Sequence, residues 1–316
     1  MKRNVLSVVF AALFLTNLQV DAQQFGQNKI QYTDQNWKYI QSEHFDLYFY
    51  ENGDRVAEMA AVLAESSYSH LSRSFNYKLR DRISIILYNS HNDFEETNLS
   101  YQIQNEATGG FTEFLKNRVV LPYEGSLEQF RHVIHHELAH AVALQFYFGT
   151  GPGAIISGLS RLQLPLWVVE GLAEYESRGG WSTETEEFIR DAVTNNYLPN
   201  IARLDGMPYQ GGNALFYFIE QRYGKGKVTE LYNAIKSTRG VERGFQKALG
   251  QDLESFSKKW HKYMREIYWP EVKDYDTPDE FATPLTDHEK SRNFINNAPA
   301  LSARWEMVAL LSERGG

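Results

Sequence analysis

Two histidines four residues apart, with a glutamate directly after the first, stand at His136-Glu137-Leu138-Ala139-His140. The surrounding stretch from Phe130 to Tyr147 contains no helix breaker. It sets Val133, Ile134, Leu138, Ala141, Val142 and Leu144 about the motif, the pattern of a buried helix. Helical residues i and i+4 lie one above the other, so both imidazoles can reach one metal ion. Two nitrogen donors on a tetrahedral zinc leave room for a third side chain and a water, and Glu137 is placed to deprotonate that water as general base. His132 and His136 have the same spacing, but Val133 stands where the base is needed. Only the His136/His140 register completes the set.

The third donor must come from elsewhere. A metzincin would place glycine at position 143 and histidine at 146, and Ala143 and Phe146 exclude it. The segment LWVVEGLAEY, from Leu166 to Tyr175, reads as a second helix begun after Pro165. Glu170, at 170 − 140 = 30 residues beyond His140, is the candidate ligand. The competing assignment is a solvated helix carboxylate, yet Trp167, Val168, Val169 and Leu172 surround it, and an acid amid such residues needs a partner. Glu174 falls one turn later on the same face, where it can accept a ring N–H from a ligating histidine and fix its tautomer.

These helices must be held by the rest of the chain. Trp37–Tyr50 reads as a strand, Arg55–Phe75 as an amphipathic helix, Ile83–Tyr88 as a short buried strand and Asn92–Asn98 as a helical turn. Gly109–Phe114 and Asn117–Pro122 follow as a hairpin, so a small mixed sheet precedes the metal helix. Gly149–Pro165, with glycines at 149, 151, 153 and 158, is long for a connection and has two readings: a lid or pocket wall, or an insertion packed on the body. Helices are expected at Glu184–Asn195, Gly212–Tyr223, Lys227–Thr238, Glu242–Leu249 and Asp252–Tyr268.

HHELAH followed by LWVVEGLAEY resembles the gluzincin branch of the zinc metallopeptidases, the peptidase MA-like proteins. The W-x-x-E-G-x-A segment is similar in outline to that of aminopeptidase N-like enzymes. The resemblance spans roughly residues 40 to 270 and implies an α+β, zincin-like fold: a small mixed-sheet lobe over 23–125, a mainly helical part over 126–270, and a zinc cleft between them. It implies one zinc ion on His136, His140 and Glu170, with Glu137 as base. The thirty-residue step from His140 to Glu170 exceeds the aminopeptidase spacing, so exopeptidase features are not carried over. The resemblance also points to the edge strand before the metal helix as a place where an extended peptide pairs. From the helical part it points to a tyrosine that donates to the oxyanion; Tyr209 is the candidate, placed just before a helix start, with Tyr217 and His261 behind it. A packing role for Tyr209 is the alternative, as for most aromatics.

Met1–Ala22 has Lys2 and Arg3, an apolar run from Val5 to Leu18 and a small-residue site at Val20-Asp21-Ala22, the pattern of a secretory signal peptide. The run is shorter than the about 20 apolar residues a transmembrane helix needs. Export to the periplasm or beyond is therefore expected, with no transmembrane segment after signal cleavage. The chain has no cysteine, so neither a disulfide nor a lipid-modified cysteine is available, and its 316 residues, 42% hydrophobic, must supply the core. A formal charge of −8 without a basic run argues against nucleic acid. Residues 271–297 read as a linker. Ala298–Gly316 resembles the opening strand of a TolB-type propeller repeat, which would make the chain part of something longer, while a C-terminal helix over Arg304–Leu311 is the alternative.

The expected function is a secreted zinc-dependent peptidase acting on peptide or protein through a metal-activated water. Two other classes fit the same residues: a non-catalytic zinc-containing module that binds peptide or glycan beside a propeller, and a zinc hydrolase of non-peptide amides. An intact Glu137 counts against the first.

Overall fold

The computed structural model describes residues 34–97, 109–276, 278–283, 285–286 and 296–312. The expected signal peptide, residues 1–22, lies outside them. The chain divides into two compact units, Met1–Tyr263 and Met264–Gly316, a boundary earlier than the expected end at 270.

The first unit opens with β1 (Lys38–Gln41), β2 (Phe45–Phe49), α1 (Asp54–Ser74), β3 (Ile83–Tyr88), α2 (His91–Glu95), β4 (Phe111–Glu113) and β5 (Arg118–Pro122). The sheet order is β1-β2-β3-β5-β4, parallel at its centre and antiparallel at both edges, so β4 is an edge strand. Where the sequence pattern reads one strand over Trp37–Tyr50, the chain turns back on itself at residues 42–44. The cause lies on α1: Glu65 Oε1 accepts from Ser42 Oγ at 2.6 Å and from the His44 amide at 2.8 Å, pinning the turn. Phe45, Leu47 and Phe49 are buried on one face of β2, and Ala57, Ala60, Ala64 and Leu71 are buried along α1, which packs against that strand.

Helices make up the remainder: α3 (Leu127–Phe148), α4 (Pro152–Leu159), α5 (Leu166–Arg178), α6 (Thr183–Thr194), α7 (Pro208–Tyr223), α8 (Lys225–Thr238), α9 (Val241–Leu249) and α10 (Leu253–Val272). The architecture is thus α+β, a small mixed sheet followed by a mostly helical part. The long connection after α3 is not bare loop, because Pro152 starts α4 and Gly158 lets it lie on Phe148 at the end of α3: a Cβ there would meet the Phe148 ring at 2.7 Å. Ile155 is buried and Ile156 exposed, consistent with an insertion packed on the body.

Glu176 on α5 is 1% exposed and joins three helices. It accepts from Ser74 Oγ of α1 and from Tyr232 Oη of α8 at 3.1 Å, and His70 Nε2 of α1 lies 3.0 Å from its other oxygen. Removing this carboxylate strands buried hydroxyls as well as losing their bonds. We expect Glu176→Ala to cost about 3 kcal/mol, read as a fall of roughly 6–12 °C in the thermal midpoint; a variant melting with the parent would refute the role.

In the second unit, residues 264–272 complete α10, which continues past Pro270, and Pro278–Phe281 forms the short helix α11. β6 (Asn296–Leu301) and β7 (Val308–Ser312) pair antiparallel, Leu301 opposite Val308. The alternative C-terminal helix over Arg304–Leu311 is not formed. Ser302 Oγ accepts from the amides of Glu306 and Met307, closing a turn where the helix would have run.

Candidate metal centre

Ser126 caps α3, accepting from the Gln129 amide at 3.3 Å, and the helix then runs unbroken through the motif to Gly149. Pro165 gives α5 no side-chain cap. The carboxylate of Asp205 instead accepts from the Trp167 amide at 2.9 Å, satisfying one of the free donors of the first turn. The two helices pack together, and α5 is also crossed very closely by α7 at Gly171 and Gly212.

The crossing brings His136, His140 and Glu170 to one point. His136 Nε2 and His140 Nε2 are 3.1 Å apart, and Glu170 Oε2 lies 3.4 and 3.3 Å from them. A tetrahedral ion with bonds of about 2.0–2.1 Å needs donor pairs roughly 3.3 Å apart, so the triangle fits zinc in size and in donor type. Electrostatics agree with a cation there. Burial alone would lower the His136 pKa, but the carboxylates of Glu170 and Glu174 overrule it and raise it to about 10. Burial likewise pushes Glu170 up, and the two imidazoles bring it down to about 2.

Glu174 meets His136 from behind, Oε1 standing 3.0 Å from Nδ1 in a bent contact. His132 Nε2 lies 3.4 Å from the same oxygen, and Arg178 Nε donates to the other at 2.8 Å. Burial opposes ionisation of Glu174, but these partners hold its carboxyl well below the usual range. His132, His136 and Glu174 thus form a second triplet one helical turn away. One observation favours the first triplet: Arg178 already places a cation on Glu174. His135 points elsewhere, edge-on to His70 at 5.3 Å, and burial, then the nearby imidazole, holds it neutral with a pKa of about 4.

Glu137 is 7% exposed, and Thr112 Oγ1 lies 2.7 Å from its Oε2 and 3.0 Å from its carbonyl oxygen. Tyr209 does not precede the helix, as the sequence suggests, but sits in the first turn of α7, because Pro208 begins it. Its ring stacks beside His136 at 6.2 Å between centroids. Burial, then the charge of the nearby Glu170 carboxylate, pushes its phenol up to about 12. Tyr217 packs on Trp181, and His261 Nε2 meets the Pro199 carbonyl oxygen. The structure therefore gathers His136, His140, Glu137, Glu170, Glu174 and Tyr209 and engages Tyr217 and His261 elsewhere. Sequence reasoning misses Thr112 and Arg178. The four-residue step from Glu174 to Arg178 on one helix was a usable signal; nothing local marks Thr112.

Crossed helices that present two imidazoles and a carboxylate to one point, beside a small mixed sheet, define an α+β protein with a candidate metal site. Residues 63–266, more than half the chain, match the Peptidase MA superfamily, and the chain belongs to that family. Similar solved structures include a mutant M1 zinc metallopeptidase from Deinococcus radiodurans, at 12% identity over 72% of this chain and 51% of that one, TM-score 0.36. Others are a two-domain M1 zinc metallopeptidase mutant bound to L-tryptophan, at 12% identity over 72% and 51% of the two chains with TM-score 0.35, and the Deinococcus radiodurans mutant bound to a Tyr-Ser-Ala substrate, with the same identity and coverage and TM-score 0.34. The chain spans about half the length of these structures. No curated protein matches it.

Proposed function

We propose that this protein is an exported zinc-dependent peptidase that hydrolyses peptide bonds with Glu137 as general base. The observation that carries the proposal is the donor triangle of His136, His140 and Glu170, with edges of 3.1–3.4 Å, next to a buried carboxylate already engaged by a hydroxyl. One zinc ion held there would supply acidification of a water and polarisation of a carbonyl. Glu137 takes the proton from the attacking water and delivers it to the departing amine nitrogen. Glu174 fixes the ring of His136, and Arg178 and His132 hold Glu174. Tyr209, a phenol beside Glu170, would donate to the oxygen on which negative charge develops.

An extended substrate would pair with the outer edge of β4, the last strand of the sheet among the described residues and the one that carries Thr112. The N-terminal sequence pattern supports export, and no helix among the described residues is long and apolar enough to cross a membrane. The β6–β7 hairpin supports taking the C-terminal segment as the start of a propeller blade in a longer protein.

The test is a broad peptide-library digestion by the purified chain, with and without a chelator, alongside elemental analysis. We expect cleavage that stops on chelation and returns with zinc. Bound zinc without any cleavage would leave a binding module, and turnover confined to small non-peptide amides would assign a different hydrolase.

A further inference from the structure

β4 is three residues long, and its alternation decides what faces the metal helix. Phe111 turns to the small cluster of Tyr50, Tyr88, Phe94 and Val120, so Thr112 between Phe111 and Glu113 points the other way, onto α3. There its hydroxyl has two acceptors, Glu137 Oε2 at 2.7 Å and the Glu137 carbonyl oxygen at 3.0 Å. A hydroxyl has one proton to give, and the nearer, charged carboxylate is the stronger acceptor. A bond to Oε2 fixes the rotation of the carboxylate and leaves Oε1 to receive a proton. The register that sets Thr112 opposite Val119 is therefore a catalytic dimension: a one-residue slip would send the hydroxyl to the opposite face.

We infer that Thr112 is the positioning residue of the general base, and that it ties the aim of Glu137 to the edge strand on which an extended substrate would lie. This rests on Glu137 acting as the base. The consequence is that a strand-forming substrate and the group that attacks it share one three-residue support, so misplacement of β4 is felt as a loss of rate rather than of metal.

The test uses the zinc-loaded full chain and an internally quenched peptide chosen from the library digest. Thr112→Val keeps the shape and removes the hydroxyl. It should lower kcat by about 10–100-fold with KM within about twofold, the loss expected when a catalytic group drifts from its productive geometry. Zinc per chain and the thermal midpoint should match the parent, and Thr112→Ser should restore kcat to within about threefold. In a Glu137→Gln background Thr112→Val should cost nothing further, because the hydroxyl acts only through that carboxylate. Unchanged kcat in Thr112→Val, equal losses in the Val and Ser variants, an added loss in the double variant, or departure of zinc would each overturn the inference. A parent chain that cleaves no peptide would sink the peptidase proposal and this inference together; an active parent with an indifferent Thr112→Val sinks the inference alone.

Discussion

Glu137→Gln should abolish nearly all turnover while leaving zinc in place. Gln has the shape of Glu and can still accept from Thr112, but its amide cannot take a proton from water at neutral pH. General bases contribute about 10²–10⁴ in rate, so kcat/KM should fall by about three orders of magnitude with little change in KM. The measurement pairs steady-state kinetics with elemental analysis on the same sample. Zinc content at the parent level isolates the proton transfer from metal binding. A Gln variant retaining a tenth of the parent rate would remove Glu137 from the role.

The second large effect is expected at two glycines, residues with no side chain to carry charge. At the crossing of α5 and α7 a Cβ on Gly171 would stand 2.3 Å from Gly212 Cα, and one on Gly212 would stand 2.4 Å from the Trp167 carbonyl oxygen. Both obstacles are backbone, so no rotamer change relieves them, and the helices must separate. Overpacking of this kind costs about 1–3 kcal/mol, with these contacts at the upper end, against about 1 kcal/mol returned by alanine's helix propensity. Gly171→Ala should therefore lose about 2 kcal/mol net, a fall of roughly 4–8 °C in midpoint. Because Glu170 and Tyr209 flank the two glycines, the same separation should weaken zinc retention and slow catalysis about 100-fold. Gly153, with nothing within 4 Å of its would-be Cβ, is the control: Gly153→Ala should be neutral or slightly stabilising. If Gly171→Ala melts with that control and keeps its zinc, the close crossing has no energetic importance.

How much of this was legible beforehand follows from the range of each interaction. The candidate ligands were visible because helix periodicity is local: four-residue steps, 136 to 140 and 170 to 174, put side chains on one face whatever surrounds them. The small mixed sheet before the metal helix was legible for the same reason, from alternation and turn residues. The turn at residues 42–44 was hidden because Glu65, some twenty residues away, makes it. Thr112 was hidden because its meeting with Glu137 depends on strand register and helix packing together, neither of which alternation specifies. Gly171 and Gly212 could be read only as members of two helices, and that the two meet depends on how those helices pack.

Helix α5 faces two ways. Glu170 and Glu174 look toward α3, while Glu176 is locked into α1 and α8 by buried hydroxyls. An element anchored from behind cannot swing out alone, so release of an ion held at Glu170 would be coupled to breathing of the larger helical body. Exchange of such a metal would then follow the slow opening of the interior, a persistence that bare affinity would not reveal.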